Sequence, residues 1–156
     1  MMTNKIEGLE AFVVDKPFET WFLNYAGSVC SEFLTELRDN KRILGIRCPN
    51  CNRVLVPARP TCARCFTQTK DWVKVSDTGS LLTYATAYQA LPCYPVQPPI
   101  IYGVIQLEGA DTGLVHLLGE VSPKDIFIGM KLRAVFNDER KGDIRDIKYF
   151  KPIESP

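Results

Sequence analysis

The segment "RCPNCNRVLVPARPTCARC" occupies residues 47–65 and decides the fold of the chain around it. It holds two Cys-x-x-Cys pairs, Cys48/Cys51 and Cys62/Cys65, with ten residues between them. Two thiolates at this spacing lie on one side of a tight turn, and a second pair about ten residues on completes a tetrahedron around one ion. The four cysteines therefore predict a structural metal site without an open position for chemistry. We expect zinc; iron in a rubredoxin-like site has the same ligand set and stays an alternative.

The connector between the two cysteine pairs also carries local signals. Residues 54–57 have the pattern of a short strand that returns the chain for the second pair. The residue after the second cysteine of such a turn often adopts a left-handed conformation, which Asn52 tolerates and Phe66 does not. We therefore expect either a differently shaped second turn, or a Phe66 in an ordinary conformation that packs against the protein.

Composition places the chain among ordinary globular proteins. It has 156 residues, 46% hydrophobic and 24% charged, which suits one domain or one domain with a small appendage. Six cysteines would suit a disulfide scaffold only in a secreted protein, and the opening MMTNKIEGLEAF has no basic region followed by an apolar run. No stretch approaches the roughly 20 apolar residues that cross a bilayer. We therefore expect a reducing, cytoplasmic compartment and no membrane association.

Residues 1–42 are predicted to form an N-terminal helical segment. Residues 17–39 carry two helical patterns interrupted at Gly27, which indicates two helices or one broken helix. The apolar positions are Phe18, Trp21, Phe22 and Tyr25 in the first pattern, and Val29, Phe33, Leu34 and Leu37 in the second. We expect the aromatic stripe of the first pattern to pack on its own domain; docking on another chain is the alternative, because exposed apolar patches mark binding surfaces.

The rest of the chain reads as short strands separated by turns. Strands are predicted at residues 43–47, 54–57, 72–75, 81–90, 100–107, 114–120, 132–136 and 144–150. Turns are predicted at 77–79, 108–113, 129 and 137–142, and the four prolines of residues 91–99 predict a loop. About five strands after residue 70 are enough to close an OB-type barrel. The predicted architecture is mainly β, with a rubredoxin-like zinc ribbon (43–70), a five-stranded OB-fold barrel (71–150) and a tail (151–156).

The sequence shows no recognisable catalytic constellation. There is no GxSxG, phosphate loop, Rossmann fingerprint or framed carboxylate pair. The one histidine, His116, falls between Leu114 and Leu118 on one strand face, which favours a sheet histidine over a catalytic base. Cys30 and Cys93 are interpreted as small hydrophobic residues. We therefore expect a noncatalytic chain.

Charge bears on two further alternatives. Residues 47–70 carry Arg47, Arg53, Arg59, Arg64 and Lys70 and no carboxylate, although the whole chain has a net charge of only +1. These cations either neutralise a four-thiolate zinc site or bind a ligand. The predicted barrel, residues 71–150, holds ten carboxylates and eight cations, a net charge of −2. This balance argues against the alternative function, a single-stranded nucleic-acid-binding zinc-ribbon and OB-fold protein, whose barrel should be positive.

The order of these parts resembles a known family. The features that carry the resemblance are the cysteine quartet, "VPARPTCARC", Trp72, Gly79 before a long strand, and Ile128-Gly129-Met130 before the last strands. The chain is similar, over about residues 30–150, to small acyl-CoA-associated proteins in which a rubredoxin-like zinc ribbon precedes an OB-fold, found as partners of thiolases. This resemblance implies that Cys48, Cys51, Cys62 and Cys65 are the metal ligands, and it carries over no catalytic residue.

The resemblance further implies a noncatalytic subunit in a hetero-oligomer with a thiolase or thiolase-like subunit, where it helps to bind or transfer a coenzyme A thioester. Coenzyme A presents phosphates that suit Arg or Lys, an adenine that stacks on aromatic rings, and a thin pantetheine arm that needs a groove. The ribbon arginines and the barrel residues Tyr84, Tyr88 and Tyr102 offer such groups.

Overall fold

The computed structural model of the protein describes residues 20–89 and 96–153. These residues form one α-helix and eight strands, joined near the end by a short 3-10 turn. The elements are α1 (Ser28–Asn40), β1 (Leu44–Arg47), β2 (Val54–Leu55), β3 (Asp71–Lys74), β4 (Thr78–Ala87), β5 (Ile100–Leu107), β6 (Gly113–Leu118), β7 (Lys131–Phe136), the 3-10 turn (Ile144–Asp146) and β8 (Ile147–Pro152). A search of the described residues finds no helix that is both long and apolar enough to span a membrane.

Helix α1 confirms the second of the two predicted helical patterns. Gly27, with φ +81°, precedes it, and the left-handed Lys41 ends it by donating its backbone N–H to the Glu36 carbonyl. Phe33 and Leu37 lie one turn apart and are buried in the core. The helix is therefore held by its apolar face.

The first predicted helical pattern is wrong where the structure describes it. Residues 20–27 have no helical structure. The predicted packing of the aromatic stripe on its own domain is also wrong there, because Trp21, Phe22 and Tyr25 are largely exposed. Gly27, with φ +81°, has a non-helical conformation, so the backbone of helix α1 does not continue into the earlier stripe. Residues 17–19, with Phe18, lie outside the described residues.

The ribbon forms a three-stranded antiparallel sheet with the order β2-β1-β3. β1 pairs with β2 through Ile46 opposite Leu55, and with β3 through Ile46 opposite Trp72. β3 begins just after residue 70, where the ribbon was predicted to end. It nevertheless belongs to the ribbon sheet, in which it pairs only with β1. The division between ribbon and barrel at residue 70 stays a prediction.

The predicted five-stranded barrel is confirmed. Its strands follow the closed order β4-β5-β6-β8-β7, in which β7 pairs back with β4. All neighbours are antiparallel except β6 and β8, which is the strand order of an OB-fold. Alternate residues fill the interior, among them Leu81, Ile105, Leu114, Leu132 and Phe150.

Two local predictions in the barrel are wrong. The turn predicted at 77–79 is shorter, because β4 already begins at Thr78. Gly79 lies inside the strand, where an added Cβ would clash with the Gln106 carbonyl oxygen, so a close backbone approach explains this glycine. The last predicted strand begins later, because Ile144–Asp146 forms a 3-10 turn whose Asp146 carboxylate accepts hydrogen bonds from the backbone N–H groups of Lys141 and Gly142, both at 2.8 Å.

The turn between β5 and β6 joins the barrel to the ribbon. The Thr112 hydroxyl donates to the Val56 carbonyl (2.9 Å) and accepts from the Val56 N–H (2.7 Å). The Asp111 carboxylate accepts from the Val54 N–H at 2.8 Å, and the Asp111 N–H donates to the Val54 carbonyl at 2.9 Å. Val54 and Val56 are buried in one core cluster that continues from helix α1 through the ribbon into the barrel. The ribbon and the barrel therefore share a core and a hydrogen-bonded joint.

We expect Thr112→Val to destabilise the protein by about 1–3 kcal/mol, because it leaves both buried backbone groups of Val56 without partners. Thr112→Ser keeps the hydroxyl and serves as the matched control. Urea denaturation of both variants measures the difference. Equal midpoints for the two variants would contradict the role assigned to this hydroxyl.

Candidate metal centre

The two cysteine pairs converge at one end of the ribbon. The Sγ atoms of Cys48, Cys51, Cys62 and Cys65 all lie within 4.8 Å of one another. Zinc binds thiolate sulfur at about 2.3 Å, which places the sulfurs of a tetrahedral site about 3.8 Å apart. The sulfurs of Cys51 and Cys62 are 3.8 Å apart. The donor set therefore fits one tetrahedrally coordinated ion.

Matching backbone turns position the two pairs. In the first, the Asn52 N–H donates to the Cys48 carbonyl at 2.9 Å, and the Cys48 N–H donates to the Arg53 carbonyl at 2.9 Å. In the second, the Phe66 N–H donates to the Cys62 carbonyl at 2.8 Å, and the Cys62 N–H donates to the Thr67 carbonyl at 3.0 Å. The leading cysteine of each pair is buried, and the trailing one is half-buried. The site is thus built from two copies of one local structure.

Both predictions for Phe66 are wrong. The second turn has the same shape as the first, with φ +54° at Phe66 and +59° at Asn52. The Phe66 side chain does not pack, because it is 83% exposed. The left-handed Phe66 directs the chain so that the Thr67 carbonyl accepts from the Cys62 N–H, as the left-handed Asn52 does for Arg53 and Cys48, and the turn thus holds phenylalanine in a conformation that it disfavours.

The sulfurs differ in their surroundings. Backbone N–H groups of Cys65 and Arg64 lower the pKa of Cys62 to about 7. A hydrogen bond with Cys51 and burial raise the pKa of Cys65 to about 12. Charge repulsion from Cys51 and Cys62 raises the pKa of Cys65 further, since a thiolate is disfavoured beside another sulfur that carries the charge. A cation among the four sulfurs would remove this repulsion.

The cations of residues 47–70 have different partners. Arg47 donates from Nη1 to the backbone carbonyl and the side-chain oxygen of Asn52, at 3.2 and 3.1 Å. Arg53 donates to the Asp111 carbonyl at 2.6 Å, across the joint between ribbon and barrel. Arg59, Arg64 and Lys70 are exposed and form no ion pair with any described carboxylate. Two of these five cations thus have structural partners, and sequence patterns alone did not separate them from the other three.

The predicted placement of His116 is confirmed. It is buried on the inner face of β6 between Leu114 and Leu118. Its Nε2 lies 3.2 Å from the Ile144 carbonyl oxygen, and its ring meets that of Phe150 edge to face at 5.7 Å. Burial lowers the pKa of His116. Among the described residues, its Nδ1 has no hydrogen-bond partner.

The other cysteines and the barrel tyrosines are dispersed. Cys30 is half-buried on helix α1 outside the sulfur cluster, and Cys93 lies outside the described residues. Tyr84 pairs with Gly103 and Tyr102 with Ala85, so these two tyrosines project from opposite faces of the sheet. The structure does not bring Tyr84 and Tyr102 into one groove.

Comparisons with known proteins agree with this geometry. The family model described as "ChsH2, rubredoxin-like zinc ribbon domain" matches residues 35–71, and that described as "ChsH2, C-terminal OB-fold domain" matches residues 72–137. A DUF35 domain-containing scaffold protein from Methanocaldococcus jannaschii is 32% identical over 124 residues, covering 76% of this chain and 87% of that relative.

Two solved structures are similar to the chain. A structure described as "Ltp2-ChsH2(DUF35) aldolase" matches with a TM-score of 0.59 and 25% identity, covering 83% of this chain and 98% of the other. A DUF35 protein of unknown function from Sulfolobus solfataricus matches with a TM-score of 0.56 and 22% identity, covering 70% and 78%. The second match supports the fold alone.

The fold and the sulfur cluster define a protein class in which a rubredoxin-like zinc ribbon is joined to an OB-fold barrel. The two matched family models give the same parts in the same order, and the archaeal relative is 32% identical over 76% of this chain. The chain belongs to the DUF35 family, with a ribbon and a barrel of the ChsH2 type. The resemblance inferred from the sequence is confirmed at this level.

We expect Cys48→Ser to abolish stoichiometric zinc binding and to unfold the ribbon, because in such small modules the free energy of metal binding supplies the free energy of folding. Elemental analysis and thermal melting measure both effects. Cys30→Ser, which removes a thiol outside the cluster, is the matched control and should retain wild-type zinc content and melting. Unchanged zinc content and melting in Cys48→Ser would exclude this cysteine as a ligand.

Proposed function

We propose that this chain is the noncatalytic subunit of a thiolase-type complex and helps to bind or transfer a coenzyme A thioester. The observation that carries the proposal is the structural likeness, along 83% of the chain, to a DUF35 protein that is described together with Ltp2 as an aldolase. The proposal extends this kind of association to an acyl-CoA enzyme of the thiolase type. From the resemblance of the sequence, we further propose that the chain corresponds to the small subunit of a benzoylsuccinyl-CoA thiolase.

In this proposal Cys48, Cys51, Cys62 and Cys65 are the ligands of one structural zinc ion. Their mutual distances and their two matching turns support the assignment. Zinc, when bound, supplies folding free energy and neutralises charge. The ribbon then holds the β5–β6 turn through hydrogen bonds with Asp111 and Thr112. These bonds would fix the surface that this chain presents to its partner in the complex.

The proposed contact with coenzyme A falls to the exposed groups of the ribbon and the barrel. Arg59, Arg64 and Lys70 are exposed without a described carboxylate partner and suit the phosphates. Tyr88 is 73% exposed and suits adenine stacking better than Tyr84, which is less exposed and donates to the Ile126 carbonyl at 3.3 Å.

The surface of the barrel does not favour the nucleic-acid alternative. OB-folds bind oligonucleotides on the face of their second and third strands, which are β5 and β6 here. The outward positions of these strands are Tyr102, Val104, Val115 and Leu117, with Gln106 at the edge. This face carries no cation, whereas strand-binding grooves are positively charged.

We expect co-expression with a thiolase-type subunit from the same organism to give a stable complex that binds an acyl-CoA more tightly than either subunit alone. Size-exclusion chromatography and calorimetric titration with acetyl-CoA measure the two effects. The isolated chain should show no thiolysis. Thiolysis by the isolated chain, or failure of the two subunits to associate, would contradict the proposal.

A further inference from the structure

The most unusual surface feature is the segment of residues 20–27, termed here the N-terminal arm. Four of five consecutive residues in it are large and apolar, and their exposed fractions are 97% for Trp21, 78% for Phe22, 102% for Leu23 and 87% for Tyr25. The arm contains no charged residue. Soluble proteins rarely leave such a contiguous apolar group uncovered unless it binds something.

The backbone N–H and C=O groups of residues 20–26 of the arm also lack hydrogen-bond partners among the described residues. Residues 20–27 belong to no helix or strand, and residues 20–26 form no backbone hydrogen bond with any other part of the chain that the structure describes. An unpaired peptide group costs several kcal/mol in the hydrocarbon of a bilayer. A protein surface can instead pair the backbone groups while it buries the side chains. The unpaired backbone therefore favours a protein over a lipid surface.

The apolar area of the arm is sufficient for a specific interface. An aromatic side chain buries about 150–250 Å². Three of them together with Leu23 therefore bring the arm to roughly the 800 Å² that each partner contributes to a standard interface. Trp21, Phe22 and Tyr25 are also of the types that dominate binding energy at interfaces.

This chain's own clefts do not suit the arm. A cleft of about 410 Å³ is lined by Glu120, Arg133 and Lys151, together with Pro152 and Ile153. A second, of about 620 Å³, runs along the 3-10 turn and is lined mainly by charged side chains, among them Asp138, Lys141 and Arg145. Apolar rings in these clefts would cover charged side chains without pairing them, so a second copy of the chain is a less suitable occupant than an apolar groove.

We propose that the N-terminal arm inserts into an apolar groove of the thiolase-type subunit, with Trp21 and Phe22 as the main anchors. This inference rests on the proposed function and specifies which segment contacts the partner. Gly27, with φ +81°, sets the direction in which the arm leaves helix α1. Because helix α1 packs on the shared core, the arm is attached to a fixed point on the ribbon and barrel.

The test uses the double variant Trp21→Ser/Phe22→Ser in the full chain. We expect it to weaken binding of the thiolase-type subunit by at least about 100-fold, since large aromatic anchors dominate such interfaces. Zinc content and melting temperature should remain at wild-type values, because both side chains are exposed in the free chain. Calorimetric titration of the partner subunit measures the affinity.

The matched control is Phe127→Ser/Ile128→Ser, which removes two exposed apolar side chains of 60% and 67% exposure from a barrel turn. It should bind the partner with wild-type affinity. As a second readout, the photocrosslinking residue p-benzoylphenylalanine at position 22 should crosslink to the partner subunit, and the same residue at position 127 should not.

Failure of the arm proposal and failure of the proposed function give different results. If the wild-type chain binds the partner and the arm variant binds equally well, only the arm proposal is wrong. An equal loss of affinity in the control variant, crosslinking at position 22 to a second copy of this chain, or binding of the arm to phosphatidylcholine vesicles would also overturn it. If the wild-type chain does not associate with the subunit at all, the proposed function and the arm proposal are both wrong.

Discussion

The structure depends on four sulfur atoms held within 4.8 Å of one another. Four thiolates at this distance repel strongly, and a divalent cation at their centre turns the repulsion into the main stabilising interaction of the ribbon. The three strands of the ribbon are short, and β2 has only two residues. Sheets this small seldom hold together by strand pairing alone. The ion and the shared core must therefore supply what the strands lack.

The metal site has consequences beyond the ribbon because the ribbon and the barrel are joined. Buried residues form one continuous cluster from Phe33 of helix α1 to Phe150 of β8. The Asp111 and Thr112 hydrogen bonds fasten the β5–β6 turn to the backbone of Val54 in β2 and of Val56 just after it. In the proposed role as a noncatalytic subunit, a rigid outline is needed because the contribution of the chain to the complex is the surface that it presents. The proposed contacts of the arm and of the exposed cations would all be positioned by this frame.

Much of the fold could be predicted from the sequence because its signals are local. The Cys-x-x-Cys spacing predicted the sulfur cluster, and the apolar pattern of β5 gave the bounds Ile100–Leu107 that the structure shows. His116 was placed on the inner face of β6 because strand side chains alternate. The predicted and observed strands differ mostly at their ends, because pairing with neighbouring strands, rather than local sequence, determines where a strand begins and ends.

The rest of the fold depends on long-range packing, which the sequence pattern of a single segment does not predict. The aromatic stripe has helical spacing, but spacing does not determine whether a side chain packs against the rest of the protein: Phe33 and Leu37 are buried, whereas Trp21 is exposed. The conformation of Phe66 was predicted wrongly because the two cysteine pairs form equivalent turns. The hydrogen bonds of the second turn outweigh the low preference of phenylalanine for a left-handed conformation. The partners of Arg47 and Arg53 depend on the position of Asn52 and on the barrel's own turn.

X-ray absorption spectroscopy at the zinc edge of the purified protein tests the central claim most directly. We expect one zinc per chain with four sulfur neighbours at about 2.3 Å and no nitrogen or oxygen ligand. A first shell with nitrogen or oxygen ligands, an iron edge in place of zinc, or a protein that folds fully without any metal would contradict it.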